Sequence, residues 1–118
     1  MKDVYSISQQ IQERITLLGK VRQVIKERGE KRADSIRDYD KQLAVTIIKL
    51  KNGIPMELDG QTIEKPQTTI LEKIAKGICF DAKHKMELAD AEYKSAITNL
   101  NTIQCELSAL QSIYRNME

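Results

Sequence analysis

Lys26, Arg28, Lys31, Arg32, Arg37 and Lys41 crowd into one short stretch of the chain. Arg28, Lys31 and Arg32 recur at i, i+3 and i+4, the spacing that places side chains on one face of a helix. Cations converging on one face are what an anionic ligand requires, a phosphate above all. Tyr39 follows closely and would offer a ring for a base to stack on, with Tyr93 as a second. The candidate anion-binding set is therefore Arg28, Lys31, Arg32, Arg37 and Tyr39. Acids are threaded through the same run: Glu27, Glu30, Asp34, Asp38 and Asp40. The plainer reading is a solvated helix held by local pairs such as Glu27 with Lys31 and Asp34 with Arg37. Tyr39 and Tyr93 read equally well as large core residues filling layers lined by alanine.

Other reactive side chains carry less. Lys73, Lys76, Lys83, His84 and Lys85 form a weaker basic patch, in which a single histidine has no partner of its own kind. Asp38, Asp40, Asp90 and Glu92 lack the Glu-x-x-His spacing of helical di-metal sites. One His and two Cys make no zinc site, so no metal is expected. Cys79 and Cys105 belong to no C-x-x-C pair and have no activating neighbour, which reads as reduced, buried structural thiols. There is no nucleophile elbow and no Gly-rich phosphate loop. The expectation is a non-enzymatic protein without a cofactor.

Composition narrows the architecture. The chain has 118 residues, 41% of them hydrophobic and 31% charged, with no Trp and a single Phe at position 80. A core of that kind is built from aliphatic layers between helices. The net charge of +2 is too near balance to mark a nucleic-acid binder by itself. No window approaches the roughly 18 consecutive apolar residues of a membrane span, and Met1-Lys2-Asp3 enters an amphipathic pattern without an apolar leader region. A cytoplasmic protein with no membrane partner is expected.

The elements that must position these residues are two helices. From Thr69 to Met117, apolar residues recur in steps of three and four, approaching a heptad from Ala89 onward. Thr69 and Glu72 have capping-box spacing. The first helix, residues 4–52, carries Val4, Ile7, Ile11, Ile15, Leu18, Val21 or Arg22, and Ile25, thins through Ala33, Ile36 and Tyr39, and resumes at Leu43, Ile47 and Leu50. Ser6 with Gln9 is a possible capping box there, and Asp3 is the competing N-cap. Gly19 and Gly29 each cost about 1 kcal/mol against Ala inside a helix, but the seam keeps its phase across both, which favours continuity. Asn52-Gly53 supplies the C-terminal stop and Pro55 blocks extension. In the loop, residues 53–68, Asp59-Gly60 between two short alternating runs signals a β-hairpin. Met56, Leu58 and Ile63 are then expected to pack on the helix ends or on another subunit.

Two helices of nearly equal length with a short connection form an antiparallel hairpin, a single all-α, coiled-coil-like domain. Facing residue numbers should sum to roughly 121. That register sets the basic run against Asp81, Glu87, Asp90 and Glu92, and Gly77 near Ala44. Leu17, Val45, Ile48, Ile97 and Ile113 lie beside the seam and widen it beyond what one helix pair buries. A homo-oligomer, at least a dimer, follows as the expectation.

The runs RGEKRADSIRDYDKQLAVTIIKLKNG and KSAITNLNTIQCELSALQSIYRNME resemble those of small helical accessory proteins of temperate phages. The resemblance implies a phage or prophage protein acting in a bacterial host, of an anti-defence kind that inhibits or sequesters a host protein or an anionic nucleotide signal. A nucleic-acid-binding accessory role in phage replication or recombination is the first alternative. A purely structural, self-associating coiled coil is the second.

Overall fold

The computed structural model describes residues 3–117, so the expectation at Met1-Lys2 lies outside the described residues. The chain is all-α: α1 spans Val4–Lys51, α2 Thr68–Ile78 and α3 Phe80–Met117. Between α1 and α2 lies an antiparallel β-hairpin, β1 (Met56–Leu58) with β2 (Gln61–Ile63). The arrangement is the antiparallel helical hairpin that the two seams demand, with a decorated loop. It divides into two compact units. One holds the chain up to Glu30 together with residues from Ala91 onward, and the other holds Lys31–Asp90.

In the first unit α1 begins at a side-chain cap. Asp3 Oδ1 accepts the Ser6 backbone N–H at 2.7 Å, so Asp3 wins the competition with the Ser6–Gln9 box. The Ser6 hydroxyl lies 3.4 Å from Gln10 Nε2 instead. Leu18, Val21 and Ile103 form the buried centre, with Ile25, Leu100 and Leu107 packed against it. On α3, Ala96, Ile103 and Leu110 are buried at intervals of seven, the heptad period of a supercoiled seam. The helix runs unbroken through Gly29. The Tyr93 ring packs beside it: a Cβ on Gly29 would lie 3.4 Å from its Cε2, an ordinary van der Waals contact.

The second unit is closed by the loop. The Gly53 N–H donates to Leu50 O and the Ile54 N–H to Lys49 O, the paired bonds of a Schellman motif. Gly53 stands at φ 73° to make them. Asp59 and Gly60 both have positive φ, 51° and 77°, as a type I′ turn requires. Met56 pairs with Ile63, and both pack on the cluster of Leu50, Leu71 and Ala75. Leu58 lies over Gly77, its Cδ2 at 3.4 Å from where a Cβ would stand. The close approach at Gly77 is therefore to the hairpin and not to Ala44, because the loop folds back onto the helices.

Three local expectations are corrected. The second helix is interrupted at Cys79 (φ −89°, ψ 20°), where a run of β-branched, thiol and aromatic residues follows Gly77 and helix propensity is low. The interruption is a kink more than a gap, since Cys79 N–H still donates to Ala75 O and Lys83 N–H to Cys79 O. The Thr69–Glu72 capping box does not form: the helix starts one residue earlier, with Gln67 at the N-cap and no side-chain cap bond. Finally, the α1 seam runs through neither Ile15, 46% exposed, nor Ala33, also exposed. Strict alternation of four- and three-residue steps from Ile7 brings Arg28, Arg32 and Ser35 to half-buried positions and Tyr39 to a buried one.

Two glycines separate backbone conformation from helix propensity. Gly19 is helical with open space around its Cα, so Gly19→Ala should stabilise the fold by about 0.5–1 kcal/mol. Gly53→Ala imposes a left-handed conformation on an L-residue and should destabilise it by about 1–2 kcal/mol. Urea unfolding followed by circular dichroism measures both, and equal effects of one sign would refute the assignment.

Candidate functional site

The basic run divides between the two units. In the first, Arg28 Nη1 donates to the Glu92 carbonyl at 3.2 Å. Closer to the start of the same helix, Arg14 Nε pairs with Glu106 Oε2 at 2.8 Å. In the second unit Arg32 Nε pairs with Asp90 Oδ1 at 2.7 Å, both side chains about a third exposed (41% and 31%). The Ser35 hydroxyl donates to Arg32 O at 2.7 Å, tying down the backbone behind that pair. Arg37 is exposed, with Asp34 and Asp38 each at 3.6 Å, a loose surface arrangement in which the expected Asp34 pair is present. Lys31 is exposed and Tyr39 is buried.

The guanidinium groups of Arg28 and Arg32 thus occupy seam positions and are spent on α3. Arg14 with Glu106 and Arg32 with Asp90 both fall within one residue of the expected register. A slip of one heptad would set Arg14 against Asn99 or Ile113, and Arg32 against Lys83 or Ile97. Only the observed register gives both arginines a carboxylate, so the pairs act as register marks along an otherwise aliphatic seam.

The remaining reactive groups are dispersed. Cys79 is buried, with its sulfur 3.4 Å from the buried Thr46 hydroxyl. Cys105 is exposed, against the expectation of two buried thiols, because it lies on the outward side of α3. His84 is exposed between two exposed lysines. Among the described residues, no group of three His, Cys, Asp or Glu side chains is placed to hold a metal ion. None of their buried side-chain polar atoms lacks a hydrogen-bond partner. No described helix is long and apolar enough to cross a membrane.

One feature of the second unit escaped the sequence reading. A groove of about 530 Å³ runs along α1 past Lys41, Val45 and Thr46 and is floored by Met56, Ile78 and Cys79. A smaller depression of about 160 Å³ adjoins it, lined by Ser35, Ala82, Asp81 and Lys85. Asp38 and Gln42 border both, so the two form one continuous face. The signal was present in the sequence as Asp81 and Lys85 at i, i+4 and as Val45 beside the seam, but it was outweighed by the denser basic run.

Compared with known protein families, curated proteins and solved structures, the chain matches none. Its residues and their placement therefore carry the functional reading.

Reversing the charge at Arg32 tests whether that arginine is structural. Arg32→Glu sets two carboxylates together and should lower unfolding free energy by roughly 1–2 kcal/mol. Combining it with Asp90→Arg should recover part of the loss, and high salt should shrink the difference. An unchanged urea midpoint in the single variant would show that the pair contributes nothing to the fold.

Proposed function

We propose that this chain is a non-enzymatic interaction protein, a self-associating helical hairpin of the phage accessory type that binds and inhibits or sequesters a host protein in the bacterial cytoplasm. One observation carries the reading. The seam of the second unit is filled by its own helices, yet Val45, Ile48, Phe80 and Leu88 remain 41%, 58%, 61% and 49% exposed. Large apolar side chains left outward on several helical turns favour a further protein surface.

The arginines favour a protein partner over a small anion. Arg28 and Arg32 already donate to Glu92 O and Asp90. A phosphate would have to displace a carboxylate from a 2.7 Å contact, at the cost of leaving that carboxylate beside it. Among the described residues the Cys, His and acidic side chains are dispersed and offer no nucleophile–base pair, which favours binding over catalysis.

Native mass spectrometry of the protein purified from a bacterial host tests this reading. The expected spectrum is a homodimer without nucleotide-sized adducts. A monomer would refute self-association, and a bound nucleotide would return the anion-sequestering reading to first place.

A further inference from the structure

We infer that the face shared by the groove and depression of the second unit is a two-fold dimer surface, which receives the same face of a second copy of this chain. The inference rests on the self-association reading above and names the surface. Its basis is a palindrome of chemistry along α2 and α3. Ile78, Asp81, Lys85 and Leu88 follow one another in steps of three, four and three, the spacing of a single stripe on a helix. Ile78 borders the groove and Asp81 and Lys85 border the depression, and both hollows share Asp38 and Gln42. Ile78 is half-buried against the cluster of Leu50, Leu71 and Ala75 and lines the groove with its remaining surface.

Read in one direction the stripe is apolar, acid, base, apolar. Read in the other it is apolar, base, acid, apolar. An antiparallel copy related by a two-fold axis near residue 83 meets it as its complement: Asp81 faces the partner's Lys85, and Ile78 faces the partner's Leu88. Each contact then occurs twice, as isologous interfaces require. Among the described residues neither Asp81 nor Lys85 makes an ion pair within its own chain, so both are available across the axis. Val45 on α1 extends the apolar edge of the same face, and the exposed Ile48 follows it by one turn.

Charge-swap complementation with the full chain tests the surface. Asp81→Lys alone and Lys85→Asp alone each place like charges together twice across the axis. Each should weaken dimerisation by about 100-fold in sedimentation equilibrium. An equimolar mixture of the two variants should restore a dimer, because every contact in the mixed pair again joins opposite charges. Native mass spectrometry would identify that dimer as the one-to-one species. Leu88→Glu, at an exposed position, should also give a monomer with an unchanged helical signal, so the test stands even if a charge variant folds poorly. Variants that dimerise like the wild type, or a mixture that stays monomeric, would overturn this surface while leaving self-association intact. A monomeric wild type would overturn both.

Discussion

The constraint on which this structure depends is that a helix pair joined by one loop has a single seam to bury, and the seam must stay in phase along each helix. α1 meets it with alternating four- and three-residue steps from Ile7 to Tyr39, then takes a second four-residue step to Leu43 before Thr46 and Leu50, and α3 has residues buried at intervals of seven. Once the period is imposed, every side chain at a seam position must be accommodated, whether apolar or not. That is why Arg28 and Arg32 are half-buried and exposed Ala33 is not part of the core. The seam selects positions, and chemistry then has to be found for whatever occupies them.

The chemistry found is acid–base pairing, whose role differs from that of the aliphatic clusters. Leu18, Val21 and Ile103 in one unit, and Leu50, Leu71 and Ala75 in the other, contribute stability by removing apolar surface from water. Aliphatic layers tolerate sliding by a heptad, because one leucine layer packs much like the next. A partly exposed pair such as Arg32 with Asp90 adds little net stability, since desolvation offsets most of the attraction. Misplaced, however, the same arginine faces a lysine or an apolar side chain. Its contribution is to discriminate between registers, as polar residues at coiled-coil seam positions do elsewhere.

How far the sequence was legible follows the same division. The architecture was readable because it rests on local signals: Gly53 after the helix, Asp59-Gly60 in the turn, and threes and fours in the apolar spacing. The register was readable because opposite charges had to face each other. The seam centre was misread because apolar periodicity cannot show a seam position held by arginine. The kink at Cys79 was missed because the apolar spacing continues across a stretch of low helix propensity, and the start of α2 because it forms without a side-chain cap. The basic run drew attention as a site because clustered cations look alike in sequence whether they face a ligand or a neighbouring helix.

That ambiguity explains why the face on the second unit is the more informative surface. A residue engaged inside the fold has its charge and area already committed, and its conspicuousness in the sequence says little about binding. Asp81, Lys85, Val45 and Leu88 are individually ordinary, yet they remain uncommitted on helices whose seam is complete. Along Ile78, Asp81, Lys85 and Leu88 the order of apolar, acidic and basic side chains is self-complementary. Self-recognition requires this property of a surface, because under a two-fold axis each half must serve as the other half's partner.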